Sequence, residues 1–115
     1  MKKIEAMIRK ARFEDVKEAL YDAGIEFFSY TNVRGVGKAY QSRIYRGVAY
    51  ETSIIERIML TIIVREKNVD LTVNAIMKAA HTGEVGDGRI FVSTIDESYR
   101  IRTGSSGDKT LYTEE

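Results

Sequence analysis

The chain has 115 residues, of which 43% are hydrophobic and 30% are charged, so its size and composition fit one folded domain and exclude a disordered chain. Its 18 basic and 17 acidic side chains leave a formal charge of +1, which argues against nucleic acid or an anionic membrane as a direct partner. There is no cysteine and a single histidine, His81, so disulfides, thiolate catalysis and clustered Cys/His metal sites are excluded, and no metal site is expected.

Two features of the sequence bear on where the protein works. No apolar stretch reaches the roughly 18 residues of a membrane-spanning helix. The opening Met-Lys-Lys-Ile-Glu-Ala lacks the apolar middle region of a signal peptide. We therefore expect a cytoplasmic protein.

The N-terminal part of the chain predicts a strand followed by a helix. Ile4, Ala6 and Ile8 alternate with Glu5, Met7 and Arg9, which is typical of a half-buried strand. A helix is predicted between Arg12 and Ala23, because apolar residues recur there at intervals of three and four. Its apolar set is Phe13, Val16, Ala19, Leu20 and Ala23, and Gly24 follows where a helix often ends.

The rest of the chain predicts three more strands and a second helix. Ile25–Val33 and Ile58–Val64 are rich in β-branched and aromatic residues and favour strands. A helix is predicted after Asn68, which could cap it, and a last strand spans Arg89–Thr94. The apolar positions of this second helix are Val69, Val73, Ile76, Met77 and Ala80, with Gly83 just beyond.

The order β-α-β-β-α-β predicts an α+β fold of the ferredoxin-like type, with two helices on one face of a four-stranded antiparallel sheet. The run Ile58–Val64 carries apolar residues on both of its faces. A sheet covered by helices on one side alone would leave half of these residues in water. We therefore expect a second copy of the chain to cover the other face, which makes the protein a homo-oligomer.

Two segments do not fit the predicted core. Gly35–Ser53 is a connection far longer than usual, and it carries tyrosines and basic residues that suit partner docking. These residues are Tyr40, Tyr45 and Tyr50, with Lys38, Arg43, Arg46 and, just beyond, Arg57. The tail Gly104–Glu115 is predicted to be flexible because of its glycines and serines.

The segment Thr82–Arg89 is the first candidate for chemistry. Its glycines, Gly83, Gly86 and Gly88, allow main-chain N–H groups to approach a phosphate, and Arg89 adds positive charge. The alternative is structural: Gly83 ends the helix and Asp87-Gly88 forms a tight turn. Glycine spacing alone does not decide between them, since neither a Walker A loop nor GxGxxG is present.

Arg100 and Arg102 are the second candidate. If the segment is extended, both guanidinium groups point to one side and could clamp a phosphate. The alternative is a charged edge strand that discourages aggregation.

Together these segments resemble the PII nitrogen-regulatory signal-transduction family from Met1 to about Gly104. The resemblance depends on the opening Met-Lys-Lys-Ile-Glu-Ala, on Tyr45–Tyr50, on Thr82–Val92 and on Arg100–Gly104. The last two segments, at their separation, are its most specific part.

The resemblance implies a ferredoxin-like homotrimer that binds ATP or ADP, the former with Mg²⁺, in clefts between subunits. It implies that Gly86, Asp87, Gly88 and Arg89 line one side of the phosphates and that Arg100 and Arg102 approach from the adjacent subunit. The remaining pocket residues would be Gly35, Gly37 and Lys38 at the base of the long loop and Ser29 and Val64 near the adenine.

The resemblance also assigns roles to three loops of a single domain spanning 1–115. Residues 35–53 match the family's T-loop, which changes conformation with bound effectors and docks onto targets; 82–89 match the B-loop, and 100–115 the C-loop and tail. Implied targets are an ammonium transporter, a nitrogen-assimilation enzyme or nitrogenase, with membrane contact only through a transporter. Tyr50 matches the tyrosine that some members have uridylylated.

The sequence departs from the family at positions linked to 2-oxoglutarate. Ala39 stands where most members carry a glutamine that ligates magnesium and helps bind 2-oxoglutarate, and Gln41 is a candidate substitute. Arg57 stands in place of a lysine that usually contacts the 2-oxoglutarate carboxylate, and Ala49 replaces a glutamate beside Tyr50. A regulator that senses only adenine nucleotides and controls a target such as nitrogenase is therefore the alternative.

Two other classes fit the same fold. A phosphoryl-transfer enzyme would need a nucleophile or base beside the paired arginines, and the sequence offers none; His81 is expected to be solvated at a helix end. An RNA-binding module would display aromatics on its sheet, but Gly88–Val92 matches such a motif only in part and the net charge is near zero. We expect a regulator and not an enzyme.

Overall fold

A computed structural model of the chain describes residues 1–36, 43–45, 48–50 and 54–111, with the backbone of 43–45 and 48–50. Its strands are β1 (Lys2–Ile8), β2 (Ser29–Val36), β3 (Arg43–Tyr45), β4 (Val48–Tyr50), β5 (Ile54–Val64) and β6 (Arg89–Thr94). The α-helices are α1 (Phe13–Asp22) and α2 (Val69–Ala80). Short 3₁₀ helices span Lys10–Arg12, Glu66–Asn68 and Asp108–Leu111.

Four strands form one antiparallel sheet in the order β2-β5-β1-β6. The register pairs Lys2 with Val64 across β1 and β5, and Ser29 with Thr61 across β2 and β5. Strands β3 and β4 pair as a separate two-stranded ribbon. The predicted ferredoxin-like α+β fold is confirmed.

The core lies between the sheet and the two helices. Every second residue of β1 and of the C-terminal half of β5 is buried against them, which is the period expected for a strand with one covered face. The buried apolar residues are Ile4, Ala6, Ile8, Val16, Leu20, Ile58, Leu60, Ile62, Val64, Ile76 and Ala80. The apolar pattern therefore predicted both the core strands and the inward face of α1.

The opposite face of the sheet is only half-buried in this chain. Met7, Met59 and Ile63 lie on that face, opposite to the buried set, and Phe91 there is 50% exposed. In the register, Met7 pairs with Met59, and Phe91 pairs with Glu5. Apolar side chains are thus present on both faces of β5, as the sequence indicates.

Strand β2 lies later in the chain than predicted. Ile25 and Phe28 pack against the core from the connection after α1, whereas pairing with β5 runs from Ser29 to Val36. Gly35 and Val36 are therefore part of the sheet, opposite Ile55 and Ile54. Residues 35–53 are also not a plain loop, since they contain the β3–β4 ribbon.

The segment after β6 is more structured than the predicted flexible tail. Gly107 N–H donates to the Ser98 carbonyl at 3.0 Å, and Gly104 N–H donates to the Arg100 carbonyl at 2.8 Å. The Thr110 hydroxyl donates to Ser98 Oγ at 2.7 Å. Main-chain and hydroxyl hydrogen bonds replace the side-chain packing that the composition lacks; residues 112–115 lie outside the described residues.

Helix α2 differs from its sequence pattern at two positions. Met77 is 56% exposed, whereas Thr72 is fully buried because its hydroxyl donates to the Asn68 carbonyl at 2.7 Å. Asn68 precedes the helix as predicted, but its side chain makes no capping hydrogen bond. A satisfied hydroxyl can occupy a core position that an apolar count assigns to another residue.

Candidate functional site

The loop Thr82–Gly88, between α2 and β6, is organised around the carboxylate of Asp87. Oδ2 accepts the main-chain N–H groups of Thr82 and Gly83 at 2.8 and 2.9 Å. Oδ1 accepts the Thr82 hydroxyl and Arg9 Nε, the latter at 3.2 Å. The loop is thus closed by hydrogen bonds to one of its own side chains.

These hydrogen bonds hold the pKa of Asp87 well below its usual range. The largest cause is the Thr82 hydroxyl, followed by the Thr82 N–H, while partial burial opposes them. The N–H of Gly83 and the Arg9 side chain also favour the charged form. Since the ionised carboxylate points into the loop, its role here is to shape the loop.

The structural alternative for Gly83 is wrong. Helix α2 ends at Ala80 because His81 is already extended, with φ −67° and ψ 129°, so no glycine cap is needed. The N–H of Gly83 instead serves Asp87. His81 is 72% exposed, as expected, and its Nδ1 lies 3.7 Å from Asp87 Oδ2.

Gly88 is required by the sheet itself. Its φ is 107°, and a Cβ at this position would lie 1.8 Å from the Met7 carbonyl oxygen. The main chain of the loop therefore rests directly on β1. Gly86 differs, because a Cβ there would meet only guanidinium groups, Arg57 Nη2 at 3.0 Å and Arg9 Nη2 at 3.2 Å.

A cavity of about 470 Å³ opens beside this loop. It brings Gly35, Gly86, Gly88 and Arg89 together, four of the residues predicted for nucleotide binding, with Arg57. Its full lining is Met7, Val33, Arg34, Gly35, Val36, Ile55, Arg57, Gly86, Gly88, Arg89 and Phe91. All of its charged residues are arginines, and its glycines leave main chain accessible, so the cavity suits an anion with an apolar neighbour.

A second cavity, of about 570 Å³, contains the two residues predicted near the adenine, Ser29 and Val64. Its lining is Gly24, Ile25, Glu26, Phe27, Ser29, Thr61, Ile63, Val64, Arg65, Asn68, Thr110 and Leu111. The two linings share no residue. In this chain the residues predicted for one site thus lie in two separate cavities.

The geometric argument for Arg100 and Arg102 is wrong, because this segment is not extended. Residues 101–103 form a turn, closed by the hydrogen bond from Gly104 N–H to the Arg100 carbonyl. Arg100 Nη2 donates to the Lys109 carbonyl at 3.0 Å, and Arg102 is exposed. Neither residue lines either of the two cavities.

Several predicted residues cannot be placed. Gly37, Lys38, Ala39 and Gln41 lie outside the described residues, and Tyr50 is described only by its backbone, on β4 opposite Arg43. Arg57 is described: its Nη1 donates to the Glu56 carbonyl at 2.8 Å.

Sequence reasoning missed Arg9, which directly follows β1. Its side chain reaches both Asp87 and the Val85 carbonyl, with Nη2 to oxygen at 2.9 Å. The available signal was its position, since a residue at the end of β1 lies beside the residues that enter the paired strand β6.

The sequence model of the family described as Nitrogen regulatory protein P-II matches residues 1–105. The chain belongs to the P-II family. A nitrogen regulatory protein P-II 2 of Methanothermobacter thermautotrophicus is 43% identical over 112 residues, covering 96% of this chain and 97% of that protein.

Other P-II relatives match over the same length. The P-II protein of Synechocystis is 41% identical and that of Rhodobacter capsulatus 39%, each over 112 residues that cover 96% of this chain and all of the relative. The resemblance seen in the sequence is therefore confirmed. It makes the chain a member of a family of regulatory signal-transduction proteins of nitrogen metabolism.

The described residues contain neither a candidate membrane-spanning helix nor a candidate metal site. No helix there is long and apolar enough to cross a bilayer. No group of three or more Asp, Glu or His side chains in the same ranges could hold a metal ion.

Proposed function

We propose that this P-II chain binds ATP and ADP and regulates target proteins through the segment 37–53. The observation that supports nucleotide binding is the arginine-rich cavity in which Gly35, Gly86, Gly88 and Arg89 meet. Arginine side chains and accessible main-chain N–H groups are the donors that phosphates prefer. The segment 37–53 directly follows β2, whose end lines this cavity, so a ligand there has a short physical route to it.

The complete site is proposed to lie between subunits of a homotrimer. One protomer carries the two halves of the predicted pocket on separate cavities, and Arg100 and Arg102 line neither. The half-buried apolar face of the sheet offers the surface that a second copy would cover. With a neighbour in place, Arg100 and Arg102 would supply guanidinium groups to the phosphates bound by the loop Thr82–Gly88.

The regulatory output is proposed to be differential docking on a target, in the form of an ammonium transporter, a nitrogen-assimilation enzyme or nitrogenase. A nucleotide shifts the docking segment only if it binds the segment's alternative conformations unequally. Tyr50 is a proposed modification site on this segment. No catalytic residue is required.

Calorimetric titration of ATP and ADP, each with Mg²⁺, tests the proposal directly. Both should bind at one site per subunit, and hydrogen exchange of residues 37–53 should differ between the two complexes. Absence of binding by either nucleotide would refute the proposed ligand. Equal exchange in both complexes would refute the switching, and rapid ATP turnover would contradict a purely regulatory role.

The variant Arg102→Ala tests the proposed phosphate contact. ATP affinity should fall by about 1.5 to 3 kcal/mol, because a charge-assisted hydrogen bond is lost. Lys109→Ala is a suitable control, since it removes a nearby cation at a position without a proposed phosphate role. Equal affinities of Arg102→Ala and the wild type would rule out the contact.

A regulator that reads adenine nucleotides alone is the second candidate, and Ala39 favours it. Arg57 keeps a cation beside Gly86, with a geometry different from that of lysine. The same titration decides between the candidates when 2-oxoglutarate is added. If 2-oxoglutarate leaves the affinity for MgATP unchanged, the second effector is absent; if it raises the affinity, Gln41 and Arg57 are the residues to test next.

A further inference from the structure

The residue Arg9 holds the loop Thr82–Gly88 at two points. Its Nε donates to Asp87 Oδ1 at 3.2 Å and its Nη2 donates to the Val85 carbonyl at 2.9 Å. One planar guanidinium thus bridges a carboxylate and a main-chain oxygen on either side of Gly86. The Arg9 and Asp87 side chains are 28% and 24% exposed, so the pair is partly shielded from water.

The base of Arg9 is fixed by the sheet. Ile8, the residue before it, is buried and pairs with Ile58 on β5, while Arg9 itself is the extended residue that precedes the 3₁₀ helix Lys10–Arg12. A guanidinium anchored in this way can transmit the position of β1 to the loop. A flexible surface arginine could not.

The loop side of the contact is equally well defined. Asp87 orients the N–H groups of Thr82 and Gly83, and Gly88 rests on the Met7 carbonyl. Between them, Gly86 has no side chain, and only Arg9 holds the neighbouring Val85 carbonyl from outside the loop by a hydrogen bond seen among the described residues. Without Arg9, the Val85–Gly86 part of the loop would lose that anchor.

The adjacent residue Lys10 provides a contrast. Its Nζ lies 3.1 Å from Glu56 Oε2, but both side chains are 49% exposed, and exposed ion pairs of this kind contribute little. Lys10 contacts the end of β5 and not the loop. The two neighbours therefore share charge and location while only one of them holds the loop.

We propose that Arg9 is a positioning residue for the nucleotide loop: it fixes Val85, Gly86 and Asp87 in the shape that faces the phosphates, without touching the ligand. This inference rests on the proposed nucleotide binding. It assigns Asp87 to the same task, since both of its oxygens are engaged by donors of the loop and by Arg9. The loop's ligand contacts are then left to its main chain and to Arg89.

The variants Arg9→Met, Arg9→Lys and Lys10→Met test this assignment by ATP titration of the full chain. Arg9→Met should weaken ATP binding about 5- to 30-fold, because two hydrogen bonds of roughly 1 kcal/mol that favour the bound shape are lost. Arg9→Lys should recover part of the affinity, since an ammonium group can reach Asp87 but cannot bridge to Val85. Lys10→Met should bind like the wild type.

Two further measurements separate positioning from direct contact or a general loss of stability. In an Asp87→Asn background, Arg9→Met should weaken ATP binding less than it does in the wild type, because one of its two contacts with the loop is already impaired and only the bond to Val85 remains to be lost. Hydrogen exchange of Thr82 and Gly83 should rise in Arg9→Met without ATP, while the amides of β1 and β5 keep their protection.

The outcomes distinguish the inference from the proposed function. If the wild type binds ATP and Arg9→Met binds it equally well, the inference is wrong and the function stands. If Arg9→Met and Asp87→Asn are additive, or if Arg9→Lys recovers nothing, Arg9 does not act by positioning Asp87. If the wild type does not bind ATP, the proposed function fails, and unchanged exchange of Thr82 and Gly83 would then still refute the role of Arg9.

Discussion

Strand β6 is flanked by two loops that are each organised around a carboxylate but differ in how they are held to the rest of the fold. In each, a carboxylate accepts main-chain N–H groups: Asp87 accepts those of Thr82 and Gly83 before the strand, and Glu97 accepts those of Ser98 and Gly107 after it, at 3.0 and 2.9 Å. The first loop is also tied to β1, through Arg9 and through the contact of Gly88 with the Met7 carbonyl.

The second loop is organised mainly by bonds among its own residues. Tyr99 bridges to Ser106, and Arg100 N–H donates to the Ser105 carbonyl at 2.8 Å. The loop Thr82–Gly88 is thus held by β1 as well as by its own carboxylate, whereas the turn that carries Arg102 is held mainly by its own residues.

Replacing glycines in the two loops should show the largest difference. Gly88→Ala should destabilise the protein by about 3 kcal/mol, because its φ of 107° and the contact with Met7 oppose any side chain. Gly107 has a φ of 86°, but an added Cβ there would meet nothing within 4 Å. Gly107→Ala should therefore lower the free energy of unfolding by only about 1 kcal/mol. Urea unfolding measures both, and equal losses would remove the claimed dependence of the first loop on the sheet.

Replacing the carboxylate of Asp87 with an amide should have the second-largest effect on stability. Asp87→Asn should lower the melting temperature, because both oxygens accept hydrogen bonds and an amide NH₂ cannot replace one of them. The drop in melting temperature should be smaller than that caused by Gly88→Ala.

The difference in melting temperature between the wild type and Asp87→Asn should decrease as the pH is lowered. The folded-state pKa of Asp87 is lowered from an ordinary value of 3.8, so its contribution is fully present above about pH 5 and declines as the pH falls below that ordinary value. It is lost completely only when the pH falls through the lowered folded-state pKa and the folded carboxylate becomes protonated. Melting curves of the wild type and Asp87→Asn should converge in acid. A gap that widens on acidification would contradict this role.

The smallest effect is expected for Glu97→Gln. Both N–H groups that bind Glu97 reach the same oxygen, Oε1, and the amide oxygen of glutamine can accept them in the same way. The stability should therefore change by no more than about 0.5 kcal/mol. A loss as large as that of Asp87→Asn would show that charge, and not hydrogen-bond geometry, organises both loops.

Part of the site followed from the sequence because it depends on local chemistry. The glycines and Arg89 were identified from their types and spacing, and the apolar alternation of Ile4, Ala6 and Ile8 fixed which face of β1 is buried. Strand β6 begins and ends where its composition predicts. Such features depend on residues close in sequence, whose geometry is nearly constant.

Other features were decided only by contacts between distant segments. The reason for Gly88 is an oxygen of β1, and the partner of Asp87 is Arg9, which lies 78 positions earlier in the chain. Two further features are local, but no alternation of residue types signals them. The turn at Arg100–Gly104 is closed by a main-chain hydrogen bond, and Thr72 is buried with its hydroxyl bonded to the Asn68 carbonyl, while Met77 is exposed.

The sequence by itself thus determined the order of elements, the covered face of the sheet and the family, and it predicted anion binding at the loop Thr82–Gly88. The tertiary structure decided how that loop is held and divided the pocket residues between two cavities of one protomer. The physical reason is separation along the chain, because periodicity and residue type describe only residues within one turn or strand. Hydrogen bonds and steric contacts that close a loop on a sheet are set only when segments far apart in sequence meet.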